Sequence, residues 1–427
     1  MRSPARHSGL LSFEEASAIV AAHAARLARI RPAAERIPIG KALGRVLAEP
    51  LRADADQPPF ARSTRDGYAC RAKDASSHKP LAITGMTHAG QAPSGPVSPG
   101  SAWEIMTGAP LPKGADAVVM LEHVEAAGTA SARTIRLLAT RTIEKGENIV
   151  ARGAQARKGD LLLPAGTLIG PAQIALAAAC GCSTLSVDIR PRVAILATGD
   201  ELVPIATTPT PGQIRNSSSS MLAALVAEAG GEPWILPIAR DTARSLDAAI
   251  HRASAADFLL IAGGVSAGKF DLVEPALTRA GARFHFTGIR IQPGKPLVFA
   301  ELPGTPTRPS QSRNGTKYCF GLPGNPVSSA VTCLLFAAPI IAALAGRREC
   351  GPRFALAQLA EPVKARPGLT RFLPARCTFT SPLPQVEPIS SQGSGDLAAM
   401  ARSNCFIVVP EETHRIKAGA MVRILLP

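Results

Sequence analysis

From Arg192 onward the chain alternates short apolar runs with segments of helical period, and this restricts the fold more than any other feature. Val193–Ala197, Trp234–Ile238, Phe258–Ala262 and Phe284–Ile291 are the runs; Phe258–Ala262 is wholly apolar, as a strand covered on both faces must be. Between them the pattern predicts a Ser-capped helix over Ser218–Ala229 stopped by Gly230-Gly231, then helices over Ala243–Ser254 and Val273–Ala280. Strands and helices at this spacing predict a doubly wound parallel sheet. Ligands of such sheets sit beyond the carboxyl ends of the strands, where N–H groups favour phosphate.

The residues that follow the strands carry the chemistry. Thr198-Gly199-Asp200-Glu201 follows the first, Asp241 the second, Gly263-Gly264 and the residues to Asp271 the third, and Gln292-Pro293-Gly294-Lys295-Pro296 the fourth. Gly263 and Gly264 let the backbone turn and approach a ligand with no Cβ in the way. Ser266, Gly268 and Lys269 add a hydroxyl, backbone N–H groups and a cation. A glycine pair alone also serves a tight turn with no ligand, and Asp271 also serves as a helix cap. Taken together, Glu201, Asp241, Asp271 and Lys295 are expected around one crevice. Acids mixed with a lysine and glycine loops suit a pyrophosphate bridged by Mg²⁺.

At 427 residues the chain exceeds one core. Ser12 and Glu15 form a capping-box pattern, and Phe13, Ala16, Ile19, Val20 and Leu27 give the helix behind it an apolar face. From Ala53 to Asn148 short strands are divided by Gly and Pro. There Gly67 beside Asp66 predicts a backbone bent around the carboxylate, and Thr107–Pro110 a tight turn. Pro171–Cys180 reads as an Ala-rich helix, Glu301–Lys317 as a mobile loop interrupting a hairpin, and the chain after Gly346 as a small β domain.

The formal net charge of +15 invites a nucleic-acid reading. Yet no run of five basic residues occurs, and aromatics are only 4%, too few for base stacking. An anionic small molecule explains the charge as well, and no nucleic-acid partner is expected. Eight cysteines without a C-x-x-C pair and eight dispersed histidines predict reduced thiols and no zinc or iron–sulfur spacing. Val331–Ala345, the longest apolar run, is shorter than a bilayer span and contains Pro339, so a core helix is expected and no membrane partner. The N-terminus lacks the apolar region of an export signal, and a cytoplasmic location is expected.

Several motifs then match one family in order. They are Ser63-Thr-Arg-Asp-Gly-Tyr-Ala69, Ile105-Met-Thr-Gly-Ala-Pro110, Ala194–Leu202 with its Thr-Gly-Asp-Glu, and Pro211-Gly-Gln-Ile-Arg-Asn-Ser217. The glycine loop through Asp271, Gln292–Pro296, Gly321-Leu-Pro-Gly-Asn-Pro-Val-Ser328 and Ser391-Gln-Gly-Ser-Gly395 complete the set. Over nearly its whole length the chain resembles the molybdopterin molybdenumtransferases, and is similar to the C-terminal half of gephyrin.

The resemblance implies a multidomain α/β and β protein. A discontinuous helical/β linker domain (10–52 and 149–188), an inserted β-rich domain (53–148), a molybdopterin-binding α/β domain (189–346) and a C-terminal β-barrel (350–427) are expected. It implies an elongated homodimer whose cleft lies between the α/β domain of one subunit and the inserted domain of the other. Asp66 and Thr107 would come from the inserted domain. Glu201, Asp241, Asp271, Lys295, Pro323 and Pro326 would face them. Thr198, Gly199, Asp200, Gly263, Gly264, Ser266, Gly268, Lys269, Gly294, Gly324 and Asn325 would complete the binding surface, with Mg²⁺ on Glu201, Asp241 and Asp271. The implied reaction inserts molybdenum from molybdate into adenylylated molybdopterin with release of AMP. The molybdopterin adenylyltransferase is a candidate partner.

Two positions depart from the family pattern. Arg65 stands where Met usually precedes Asp-Gly-Tyr, and Gln292 where some relatives carry Lys. Two rival readings are the preceding Mg-ATP-dependent adenylylation, whose α/β domain is similar, and a non-catalytic scaffold like gephyrin. The inserted-domain motifs argue against the first and the retained acids against the second.

Overall fold

The computed structural model describes residues 10–129, 132–265, 272–304, 316–379 and 382–427. It has two compact units: one holds the chain up to Ala48, Gly166–Gly170 and Thr184–Pro427, the other Glu49–Ala165 and Pro171–Ser183.

The larger unit is built on a six-stranded sheet. Its order is Glu232–Ile235, Arg192–Ala197, Phe258–Ala262, Thr316–Leu322, Val298–Pro303, Arg283–Thr287. The first four run parallel. Along Arg192–Ala197, Val193 and Ile195 join the core on one face, Ala194 and Leu196 the core on the other. This is the period-two signature of a strand buried on both sides. Phe13, Val20, Leu222 and Val226 cover the first face from helices Phe13–Ala28 and Ser217–Glu228. Leu246 and Leu277 cover the second from helices Ala243–Arg252 and Val273–Arg279. The sheet is therefore doubly wound.

It is not wholly parallel, as the sequence pattern suggested. Val298–Pro303 is antiparallel to both neighbours, because it forms a hairpin with Thr316–Leu322, and hairpin strands must run in opposite directions. The hairpin ladder includes Glu301 opposite Tyr318 and Lys317 opposite Leu302, so both ends of the expected 301–317 loop are strand. Residues 305–315 of that expectation lie outside the described residues. The expected Ser cap is Asn216, whose carboxamide oxygen accepts the Ser219 N–H at 3.1 Å. Ser12 and Glu15 do form the capping box, at 3.1 and 2.7 Å.

The apolar helix Pro326–Leu344 could cross a bilayer by length alone, but 83% of its 18-residue hydrophobic window is buried within the protein, so it is a core helix. Its middle turn, Cys333–Ala337, is π-helical. Pro339 has no N–H for the Leu335 carbonyl, and the widened turn absorbs that missing bond.

Five strands after Arg353 close into a barrel. Thr370–Thr378 pairs with both Gln385–Pro388 and Cys405–Val409, and Arg353–Leu359 and Met421–Leu426 complete the ring. Phe372 leaves the barrel interior for the sheet's core, its ring 5.4 Å from that of Phe13. This contact ties the barrel to the α/β sheet.

The smaller unit carries a second six-stranded sheet that includes Gly67–Cys70, Ser101–Ile105 and Ala117–Met120. The chain bends at Thr64–Asp66, as expected, and Gly67 then opens the strand, where a Cβ would stand 2.0 Å from the Val119 carbonyl oxygen, so glycine is needed for close strand approach. All eight cysteines are free thiols.

Candidate active site

The strand order reverses between Arg192–Ala197 and Phe258–Ala262. Beyond the carboxyl ends of these two strands, at the switch point, lies an open cleft of about 890 Å³. That is ample for a ligand of drug or cofactor size.

The loop Thr198–Glu201 forms one wall. The Thr198 N–H donates to the Ala262 carbonyl at 3.0 Å, and its hydroxyl to Asp241 Oδ1 at 2.7 Å. Thr198 thus aims the Asp241 carboxylate into the cleft. A Cβ on Gly199 would meet the Glu201 carboxylate at 2.6 Å, so this glycine leaves Glu201 room to fold back over the loop. Gly263 has φ +102°, and a Cβ there would stand 2.5 Å from the Thr198 carbonyl oxygen. The two loops interlock only because Gly263 lacks a side chain.

Two helix N-termini open onto the cleft. Asn216, Ser217 and Ser218 begin the helix Ser217–Glu228; Asn325 and Pro326 begin the helix Pro326–Thr332. Their orphan N–H groups and dipoles favour an anion. Lys295, Arg215 and Arg371 add side-chain cations, while Glu201 and Asp241 supply oxygens for a cation. The arrangement can hold a polyanion and a hard metal ion side by side.

Most of the expected binding residues meet here. Thr198, Gly199, Glu201, Asp241, Gly263, Gly264, Gly294, Lys295, Pro323, Gly324, Asn325 and Pro326 all line the cleft. Asp200 does not. It pairs with Arg240 at 3.9 Å and accepts the Asp241 N–H at 3.4 Å, so it braces the loop from outside. Ser266, Gly268, Lys269 and Asp271 lie outside the described residues. In the smaller unit, Asp66 and Thr107 meet directly, the Thr107 N–H and hydroxyl donating to Asp66 Oδ1 at 2.6 and 2.8 Å. The backbone N–H first, and then the hydroxyl, hold the Asp66 carboxyl below its ordinary range.

Residue-by-residue reading missed Arg371 and Ser394, which reach the cleft from the barrel region of the same unit. Ser394 binds the glycine-rich turn twice. Its hydroxyl accepts from Asn325 Nδ2 at 2.9 Å, and its carbonyl from the Val327 N–H at 3.1 Å. The Ser391–Gly395 motif was the only local signal for this contact.

A second cavity of about 410 Å³ lies between the helices Ala243–Arg252 and Val273–Arg279. Its Arg279 already binds Asp247 at 2.8 Å, and Lys317 donates to the Ser254 carbonyl. With these cations engaged, the larger cleft is the better site for an anionic substrate.

Three family descriptions cover the chain in order: the MoeA N-terminal region (domains I and II) at residues 11–181, a probable molybdopterin binding domain at 194–343, and the MoeA C-terminal region (domain IV) at 356–426. A molybdopterin molybdenumtransferase of Nostoc sp. is 34% identical over 399 residues, 92% of this chain and 88% of the relative. The chain belongs to the molybdopterin molybdenumtransferase family. A Staphylococcus aureus member is likewise 34% identical, over 91% of this chain and 90% of its own. The crystal structure of a molybdopterin biosynthesis MoeA protein from Pyrococcus horikoshii OT3 superposes with a TM-score of 0.78 at 27% identity, covering 98% of this chain and 100% of that one. As a member of this family the chain is a transferase of molybdenum in molybdenum cofactor biosynthesis, and its α/β sheet falls in the stretch matched by the probable molybdopterin binding domain.

Proposed function

We propose that the cleft binds adenylylated molybdopterin with molybdate, and that molybdenum insertion is coupled to cleavage of the phosphoanhydride and release of AMP. One observation carries this reading: two carboxylates, a lysine and two helix N-termini converge at the sheet's switch point. The helix N-termini and the loop at Gly263-Gly264 would cradle the pyrophosphate. Lys295 would hold the second anion, molybdate, beside it.

The donors at Glu201 and Asp241 are oxygens only, which suits Mg²⁺, and Asp271 is proposed as a third. Bound there, Mg²⁺ would neutralise charge on the phosphoanhydride. Thr198 keeps Asp241 oriented toward that position through its 2.7 Å hydrogen bond. We also propose a cytoplasmic homodimer in which one subunit's Asp66 and Thr107 serve its partner's cleft, with the molybdopterin adenylyltransferase as the supplier of substrate. These points rest on the family resemblance.

The test is AMP release from adenylylated molybdopterin in the presence of molybdate and Mg²⁺. Asp241→Asn and Glu201→Gln should each lower the rate by about 10-fold or more, as loss of one charge-stabilising group does. Rates equal to wild type would remove the metal assignment. Adenylyl transfer from labelled ATP without molybdate would instead favour the preceding step.

A further inference from the structure

Outside the cleft, three side chains from three elements converge: His23 of the helix Phe13–Ala28, His285 of the strand Arg283–Thr287, and Glu301 of the strand Val298–Pro303. Glu301 pairs in register with Tyr318, near the start of the strand whose other end, at Leu322, leads into the cleft. Four residues of extended chain, about 13 Å, separate the two places.

We infer that His23, His285 and Glu301 form a second metal site, for a first-row divalent transition ion such as Zn²⁺.

The geometry is that of a ligand set. Glu301 Oε1 stands 3.5 Å from His23 Nδ1 and 3.7 Å from His285 Nε2, and all three atoms lie within 4.8 Å of one another. Ligand atoms about 2.0–2.1 Å from a tetrahedral ion are about 3.3 Å apart, so both Glu301 contacts are within a few tenths of an ångström of that spacing, and small side-chain rotations would draw the two imidazoles in. Little solvent reaches it, the side chains being 13%, 15% and 7% exposed.

Both imidazoles present a ring nitrogen to that point. His285 Nε2 is buried, and its polar neighbour is Glu301 Oε1 at 3.7 Å. The Arg26 guanidinium stands 3.3 Å from His23 Nδ1. Two imidazole nitrogens facing one carboxylate oxygen make a zinc donor set.

Two arginines already serve Glu301. Arg283 takes Oε2 and leaves Oε1 available. Arg26, 54% exposed and 3.1 Å from Oε1, must swing into solvent, and this makes binding weaker than at a dedicated structural zinc site. The Tyr318 hydroxyl, 3.2 Å from His23 Nδ1, is positioned for the fourth place or to orient a water there. An ion here would clamp the first helix to the far edge of the sheet.

The test uses the untagged full-length protein stripped of metal and titrated with Co²⁺ in excess Mg²⁺, which occupies oxygen-only sites. One Co²⁺ per chain should bind, with visible d–d bands, no sulfur charge-transfer band and a raised melting temperature. His285→Ala and His23→Gln should lose the bands, and Asp241→Asn should keep them. The same spectrum in both histidine variants would overturn the site. Should those variants fail to fold, X-ray absorption of the zinc-loaded wild type decides. Two imidazoles in the first shell support the site, and a sulfur shell or oxygens alone refute it.

Discussion

His23 shows how far one side chain can be moved by its surroundings. Buried against His285 and flanked by Arg26, it is held near a pKa of about 4 in the fold and returns to about 6.5 when unfolded. Between those values the unfolded chain binds more protons, so this residue makes stability rise with pH from about 4 to 6.5 and level off above. Acidifying metal-free protein from pH 7 to 5 should therefore lower its melting temperature more steeply than that of His23→Gln. Parallel curves would show that His23 does not titrate this way. Neighbours in sequence gave no warning of this. Residues 23, 285 and 301 have no ligand spacing, and only the packing of a helix on two strands brings them together. Asp66 and Thr107 also meet only because their strands pair, Gly67 opposite Ile105.

Among elements, local rules worked where the determining partners lie within a few residues. The Ser12–Glu15 box lies three residues apart and formed as expected. The Gly263-Gly264 turn followed its strand as expected, but the reason for Gly263 is tertiary: the carbonyl of Thr198 occupies the space of its Cβ. Gly263→Ala combines a positive φ with that clash, and should cost roughly 2 kcal/mol or more in denaturant unfolding while disordering the Thr198–Glu201 wall. A loss below about 0.5 kcal/mol would mean that the loop yields freely. The antiparallel strand Val298–Pro303 is one arm of the hairpin expected around 301–317; its apolar run alone carries no direction, and its hairpin partner sets it.

At the scale of the molecule, the proposed dimer has a consequence of its own. If each cleft takes Asp66 from its partner, subunits carrying Asp66→Ala and Asp241→Asn should complement one another. Random pairing makes half the dimers mixed, each with one intact cleft, so about a quarter of wild-type activity should return. No recovery would place all cleft residues in a single subunit.

The strand–helix alternation, the caps and the glycine-rich strand ends were decided by the sequence alone, since each depends on backbone geometry and on residues one to four positions away. Which strand ends share a crevice, how Arg371 and Ser394 come to line it from the barrel, and why two histidines face Glu301 were decided by tertiary structure. Those pairings join positions tens to hundreds of residues apart, and burial of the sheet's two apolar faces, rather than any local preference, brings them into contact.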